Sequence, residues 1–183
     1  MTKEQQKMLL SLARTAVEER LGIGGEIPKM PDDPLFSERR GVFVTIEEGK
    51  SLRGCIGNIE PCYELCNGVI NNARAASFSD PRFWPMTKEE WPGMHIEISV
   101  LTVPAGLKYK SPRDLIEKLS AKKPGVIIKK GFYEATFLPQ VWEDLKDPEV
   151  FLSHLCVKAG LEASAWKTEN LEVSTYEAEV FSE

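Results

Sequence analysis

The spacing of apolar residues changes along the chain and predicts helices that alternate with strands. Between residues 3 and 21, apolar side chains recur every three or four positions, which is typical of a helix with one buried face. Thr2 and Gln5 form a capping-box pattern at its start, and Gly22 suits its end. Further helices are predicted to begin at Pro61, Ser111 and Asp147.

Strands are predicted where apolar and polar residues alternate. These segments are two hairpins, 41–59 and 125–138, and two single strands, 95–101 and 172–181. The order helix, hairpin, helix, strand thus occurs in residues 2–103 and again in 111–182. We predict one α+β domain over residues 1–183. In it, an internally duplicated unit forms a continuous or barrel-like, mainly antiparallel sheet with helices outside.

Composition narrows the class of protein. The chain has 183 residues, 42% of them hydrophobic, with a net charge of −5. An acidic balance argues against broad nucleic-acid binding, which needs a basic face. No apolar run approaches the roughly 20 residues of a membrane helix. The N-terminal residues do not resemble a secretory signal, and the four cysteines lack a disulfide-like spacing, so we expect a cytoplasmic protein with reduced thiols.

The first hairpin carries the candidate chemistry in its second strand, residues 52–57 (LRGCIG). Alternation along a strand puts Arg53 and Cys55 on one face, and a guanidinium beside a thiol favours the reactive thiolate. Gly54 and Gly57 remove side-chain bulk, which allows a ligand to approach closely. The alternative is a buried structural cysteine in a glycine-kinked strand. On the same alternation, the apolar residues of this strand, Leu52 and Ile56, face the core.

The strand at 95–101 adds an acidic residue to this picture. Its apolar residues share one face, whereas His95 and Glu97 lie on the other. A carboxylate in mid-strand needs a partner if it is partly buried, and Arg53 is the partner that we predict. The alternative is a solvated Glu97 without a specific role.

Between residues 77 and 93 the periodicity stops, and the segment is rich in aromatic, charged and proline residues. Long ordered loops are often functional, which makes Asp80 and Arg82 candidates at the margin of the site. The alternative is that Phe83 and Trp84 plug one end of the core while Arg82 pairs with Asp80. Thr87 and Glu90 have the spacing that caps a helical turn.

The remaining cysteines are weak candidates for metal ligands. Cys62 and Cys66 are four residues apart on a predicted helix, but two sulfurs do not make a site, and core packing is the simpler reading. Cys156 lies in an apolar helix beside His154 and is read in the same way. We therefore predict neither a metal site nor a cofactor.

Six motifs are spread along most of the chain, at residues 52–61 (LRGCIGNIEP), 72–76 (NARAA), 80–83 (DPRF), 96–101 (IEISVL), 136–142 (TFLPQVW) and 155–161 (LCVKAGL). Together they resemble the AMMECR-type domain, named for the region linked to Alport syndrome, mental retardation, midface hypoplasia and elliptocytosis. The resemblance implies a duplicated α+β fold and a poorly characterised function. It also implies partners, because prokaryotic members often accompany a Memo-type protein and a radical-SAM protein.

Two functions are consistent with these residues, and the sequence leaves open whether the chain is an enzyme. In the first, Cys55, Arg53 and Glu97 form a reactive thiol site for a small anionic ligand. The residues expected to line it are Gly54, Gly57, Asn58, Asp80, Arg82 and His95. In the second, the same patch is a non-catalytic ligand-binding or adaptor surface.

Overall fold

A computed structural model describes residues 1–30, 32–168 and 170–183. Its helices are α1 (Lys3–Leu21), α2 (Pro34–Ser37), α3 (Leu65–Phe78), α4 (Pro112–Lys122), α5 (Val141–Asp144), α6 (Pro148–Lys158) and α7 (Ala165–Thr168). Its strands are β1 (Val42–Glu48), β2 (Ser51–Asn58), β3 (Met94–Leu101), β4 (Ala105–Gly106), β5 (Gly125–Lys130), β6 (Tyr133–Phe137), β7 (Glu172–Tyr176) and β8 (Ala178–Ser182). A short 3₁₀ helix covers Trp91–Gly93.

The chain forms two compact units. The first comprises Met1–Val103 together with Glu179–Glu183, and the second comprises Pro104–Ala178. The first unit contains a sheet with the strand order β2-β1-β3-β8, and the second a sheet with the order β4-β7-β5-β6. Each unit has its own hydrophobic core.

In the first unit, α1 and α3 pack together, and α3 covers one face of the β1–β2 hairpin. The side chains on this face are fully buried, for example Val44, Ile46 and Ile98. The predicted capping box of α1 is confirmed, and Gly22 ends the helix in the left-handed conformation with φ = 67°. The other face of the hairpin carries Phe43, Thr45 and Glu47 of β1 together with Leu52 and Cys55 of β2.

In the second unit, the predicted helix caps are also confirmed. The Ser111 side chain accepts a hydrogen bond from the Asp114 N–H, and Asp147 caps α6 in the same way. The core is built around aromatic residues, with Trp142 stacked on Phe151 at a ring-centroid distance of 3.7 Å. None of the predicted site residues lies in this unit.

The α+β class is confirmed, whereas the single continuous or barrel-like sheet is not, because the strands are divided between two sheets. The internal duplication stays a prediction. The last predicted strand, 172–181, is two strands separated at Glu177, and β8 joins the first sheet beside β3. The helix predicted from Pro61 begins only at Leu65.

No helix in the described part of the chain combines the length and apolar character needed to span a membrane.

Candidate functional site

An irregularity in β2 determines to which face of the sheet the candidate side chains point. Gly54 lies opposite Ile46, but the next residue of β1, Glu47, lies opposite Leu52, so that Arg53 has no partner in β1. An extra residue of this kind is a β-bulge, which shifts the alternation by one position and redirects side chains. Leu52 therefore joins the face of Glu47 and is 41% exposed, so its predicted place in the core is wrong.

Cys55, Thr45 and Glu97 form a row across three strands. Cys55 lies opposite Thr45, and Thr45 lies opposite Glu97 on β3. Residues directly opposite one another in antiparallel strands point to the same face. The predicted common face for Cys55 and Glu97 is therefore confirmed, and Thr45 lies between them.

Cys55 is partly exposed, so the burial that the alternative interpretation predicted for it is wrong. The Thr45 hydroxyl donates a hydrogen bond to its sulfur at 3.4 Å. Its backbone N–H donates to Asp80 Oδ2 at 2.9 Å, and its carbonyl accepts from Arg82 Nη2 at 3.3 Å. Asp80 and Arg82 thus bind the backbone of Cys55 at the edge of the sheet, while the thiol lies on the face of Thr45 and Glu97.

Arg53 pairs with Glu90 and not with Glu97. Its Nη2 lies 3.2 Å from Glu90 Oε1 and also donates to the Trp84 carbonyl at 3.0 Å. The guanidinium carbon lies 5.8 Å from the centre of the Phe83 ring. The predicted Arg53–Glu97 pair is wrong because the bulge at Arg53 and the segment that follows α3 bring Glu90 into reach instead.

One edge of the Arg53 guanidinium remains unused. The side chain is only 12% exposed. Its Nη1 atom is buried and has no hydrogen-bond partner in the described part of the chain. A buried donor without a partner costs free energy, about 1–3 kcal/mol. This nitrogen therefore has an unused capacity to donate a hydrogen bond.

Glu97 lies in an environment that disfavours its charge. Partial burial raises the pKa of its carboxyl group, and the neighbouring Glu47 raises it further. None of the basic side chains that the structure describes forms an ion pair with Glu97. His95, also on this face, is exposed and lies opposite Glu47 on β1.

Asp80 and Arg82 form the ion pair of the alternative interpretation, with Arg82 Nη2 2.7 Å from Asp80 Oδ2. The Asp80 side chain is 1% exposed, and its carboxylate also accepts from the backbone N–H groups of Arg82 and Cys55. Hydrogen bonds from the Arg82 guanidinium, followed by those from the backbone, hold the pKa of Asp80 well below its usual range. The two side chains thus satisfy the main-chain groups of Cys55 at the free edge of β2.

Residues 83–91 only partly follow expectation. The predicted cap is confirmed, since the Thr87 N–H donates to Glu90 at 2.9 Å. This bond, followed by the Arg53 guanidinium, lowers the pKa of Glu90. The predicted aromatic plug is wrong at Trp84, which is 87% exposed, whereas Trp91 is buried in the core.

The remaining predicted ligand-binding residues have structural roles. A Cβ atom on Gly54 would overlap the carbonyl oxygen of Ala76, so Gly54 allows α3 to approach β2 on the buried face. Gly57 is covered in the same way by the ring of Phe43. Asn58 accepts a hydrogen bond from Asn72 at 3.0 Å. Space for a ligand at Gly54 and Gly57 is therefore not the reason for these glycines.

The other cysteines do not lie together as a pair. Cys62 is exposed and precedes α3, whereas Cys66 lies within α3 and is buried, so the two do not share a helix face. Burial raises the pKa of the Cys66 thiol to about 11. Among the described residues, no group of three or more His, Cys, Asp or Glu side chains is arranged to hold a metal ion.

A groove of about 790 Å³ lies elsewhere on the first unit, between α1 and residues 28–30. Its lining is mainly apolar and includes Met8 and Met30, with Lys7 and Lys29 also contributing. None of the predicted site residues lines this groove. The groove and the predicted site residues therefore lie in different parts of the first unit.

Sequence reasoning missed two residues that contact the predicted site. Thr45 was visible as a member of the alternating pattern in β1, but only the strand register shows that it lies opposite Cys55. Glu90 was recognised as a cap residue, and its second role depends on a contact 37 residues away in sequence, with Arg53. Neither contact has a local signal.

Comparison with known proteins gives consistent matches over the whole chain. The sequence profile of AMMECR1 matches residues 10–181. A protein of Thermofilum pendens is 40% identical and is aligned over 100% of this chain and 92% of its own length. Protein MJ0810 of Methanocaldococcus jannaschii is 37% identical over 100% of this chain and 92% of its own length. The crystal structure of uncharacterized protein PH0010 from Pyrococcus horikoshii has a TM-score of 0.87 and 37% identity, covering 100% of this chain and 93% of that chain.

Proposed function

Because this chain belongs to the AMMECR1 family, we propose that it takes part in a modification pathway through a thiol site on the polar face of its first sheet. In this proposal Cys55 is the nucleophile, Arg53 binds an anionic group, and Glu97 exchanges protons with the substrate. The substrate is a small anionic metabolite or an anionic group supplied by a radical-SAM partner, with a Memo-type protein in the same pathway.

One observation carries the proposal: Cys55 is partly exposed and lies on the sheet face that also carries Thr45, Glu47, His95 and Glu97. A cysteine that served only as a small apolar residue would pack in the core, as Cys66 and Cys156 do. The thiolate of Cys55 would form a new bond to an electrophilic carbon of the substrate. The leaving group would depart with its electron pair.

Arg53 supports the anionic character of the substrate. Its Nη1 is buried without a partner, and a carboxylate or phosphate oxygen is the acceptor that a guanidinium binds best. Glu90 and the Trp84 carbonyl hold the other nitrogens, so the guanidinium is fixed before a ligand arrives. Pre-organisation of this kind reduces the entropy cost of binding.

In this proposal Glu97 exchanges protons with the side of a bound ligand that faces away from Cys55. Two strand spacings separate its backbone from that of Cys55, about 10 Å, so it acts on the ligand and not on the sulfur. Its raised pKa moves the carboxyl group towards the operating range of a general acid or base.

The test is alkylation by iodoacetamide at pH 7, with each cysteine resolved by mass spectrometry. We expect Arg53→Ala to slow the alkylation of Cys55, because the nearby positive charge favours the thiolate. Arg40→Ala is the matched control, since Arg40 pairs with Glu38 outside the site. An unchanged rate in folded Arg53→Ala would contradict the nucleophile assignment.

A second candidate function, a non-catalytic adaptor, is favoured by Trp84. This side chain is 87% exposed, while the Arg53 guanidinium holds its backbone carbonyl. Exposed tryptophans on ordered segments are frequent hot spots of protein interfaces.

For the adaptor, the measurement is calorimetric titration of purified Memo-type and radical-SAM proteins from the same organism. Trp84→Ala and Arg53→Glu should each weaken binding at least about tenfold, as expected for hot-spot residues. Phe132→Ala, at the exposed turn of the other hairpin, is the control. Equal affinities in all folded variants would exclude the adaptor surface.

A further inference from the structure

Thr45 contacts the sulfur of the proposed site directly. It lies in β1, the strand between β2 and β3, and faces Cys55 on one side and Glu97 on the other. Its hydroxyl donates to Cys55 Sγ at 3.4 Å. No other side chain in the described ranges, 1–30, 32–168 and 170–183, donates a hydrogen bond to this sulfur.

The hydroxyl of Thr45 is not needed for the strand itself. Valine has nearly the same shape, suits a strand equally well and would avoid placing a polar group at a half-buried position. The Cys55 sulfur is the one hydrogen-bond partner of the Thr45 hydroxyl found among the described residues. The presence of a hydroxyl at this position is therefore explained by its hydrogen bond to the Cys55 thiol.

Charged groups around the sulfur explain why a neutral donor is useful there. Glu47 on β1 and Glu97 on β3 are acidic and disfavour a second negative charge on this face, with His95 opposite Glu47. On β2, the Arg53 guanidinium is directed towards Glu90 and the Trp84 carbonyl and does not bond to the sulfur.

At the edge of β2, Asp80 and Arg82 bind each other and the backbone of Cys55. Neither of the two arginines near this strand donates to the sulfur in the described structure. The direct hydrogen bond to a thiolate therefore falls to Thr45.

We propose that Thr45 is a positioning residue of the thiol site: its hydroxyl orients Cys55 Sγ on the polar face and stabilises the thiolate by donating a hydrogen bond. This inference rests on the proposed function of Cys55. It makes Thr45 a determinant of nucleophilicity that neither contacts the substrate nor exchanges protons with it.

The experiment measures the iodoacetamide alkylation rate of Cys55 from pH 6 to 10 in wild type, Thr45→Ser, Thr45→Val and Thr45→Ala. Loss of a hydrogen bond to a charged group should slow the reaction at pH 7 roughly tenfold in Thr45→Val and Thr45→Ala. Their pH profiles should shift to higher pH. Thr45→Ser keeps the hydroxyl and should retain most of the wild-type rate, while Cys62 in each variant serves as the internal control.

The outcomes separate the two proposals. If wild-type Cys55 reacts no faster than exposed Cys62, the proposed function fails irrespective of Thr45. If wild-type Cys55 is fast and both hydroxyl-free variants match its rate and pH profile, only the role of Thr45 is overturned. If Thr45→Val, Thr45→Ala and Thr45→Ser are all equally slow, the hydroxyl is not the cause, and the inference is likewise overturned. Circular dichroism establishes folding, and the alanine variant replaces the valine variant if the latter does not fold.

Discussion

At the scale of single residues, Asp80 links the loop after α3 to the strand that carries Cys55. Its buried carboxylate accepts four hydrogen bonds, three from Arg82 and one from the Cys55 N–H. Edge strands normally leave such main-chain groups to solvent. Here side chains take the place of a neighbouring strand and fix the backbone beneath the thiol.

Asp80→Asn should lower the free energy of unfolding by about 2 kcal/mol at pH 7, because hydrogen bonds to a charged group are lost. The folded-state pKa of Asp80 is lowered, so its stabilisation is complete above the ordinary value of about 3.9 and disappears as pH falls through the lowered pKa. Urea unfolding at pH 7 and pH 3 measures both effects. A difference that is as large at pH 3 as at pH 7 would contradict the ionic origin of the stabilisation.

Glu97 should show the opposite dependence on pH. Its folded-state pKa is raised, so ionisation in the folded protein is disfavoured and stability is lost as pH rises from the ordinary value through the raised one. Glu97→Gln should therefore gain stability relative to wild type between pH 4 and pH 7 in urea unfolding. Glu48→Gln, at an exposed position of the neighbouring strand β1, is the control. A gain no larger than that of the control would show that ionisation of Glu97 does not destabilise the folded protein.

The sequence was informative about faces and misleading about pairs at this scale. Alternation correctly put Cys55 and Glu97 on one face, since that depends only on local strand geometry. The partner of Arg53 depends on a bulge and on a loop that returns from 37 residues away, and no local pattern encodes either. Asp80 and Arg82 were predictable as a pair because two residues separate them.

At the scale of elements, the contact between α3 and β2 fixes the distance between this helix and the strand that carries Cys55. The backbone of α3 at Ala76 approaches Gly54 so closely that no side chain fits between them. The glycine before Cys55 is thus required for packing on the buried face, and the thiol on the opposite face depends on it only indirectly.

Gly54→Ala should lower the free energy of unfolding by about 1–3 kcal/mol, because the added methyl group forces helix and strand apart. Gly93→Ala is the matched control, since a Cβ atom there meets no neighbouring atom within 4 Å. Urea unfolding of both variants is the measurement. Equal stabilities would show that α3 does not constrain β2 at this point.

Helices and strands were well predicted because they have local signals. The caps of α1, α4 and α6 are confirmed, and so are both hairpins. The start of α3 was placed too early because Pro61 suits a first helical turn but lies outside the helix. The break at Glu177 was missed because two consecutive strands of different sheets carry one uninterrupted strand-like pattern.

At the scale of the whole molecule, the C-terminal residues complete the first unit. β8 extends its sheet beside β3, and the Glu183 side chain binds Arg14 of α1. The Glu179 carboxylate binds the N-terminal ammonium group at 2.9 Å, and this contact lowers its pKa. The unit that carries the candidate site therefore needs both ends of the described chain.

Removal of residues 178–183 should lower the free energy of unfolding of the first unit by at least about 2 kcal/mol, because several main-chain hydrogen bonds of β3 are lost. Hydrogen exchange at Ile96, which bonds to Glu183, should become faster. Val180→Ala, at an exposed position of β8, is the control that keeps both the strand and Glu183. Unchanged exchange at Ile96 would show that β8 does not stabilise this sheet.

Competition between the protein's own cysteines for a limiting reagent shows whether Cys55 is the reactive thiol. Cys62 is exposed, whereas Cys55 is only partly exposed, so accessibility alone predicts faster labelling of Cys62. Wild-type protein is treated with limiting iodoacetamide at pH 7, and the label at each cysteine is quantified by mass spectrometry. We expect Cys55 to be labelled several times faster than Cys62; if Cys62 is labelled first, Cys55 is not the reactive thiol of this protein.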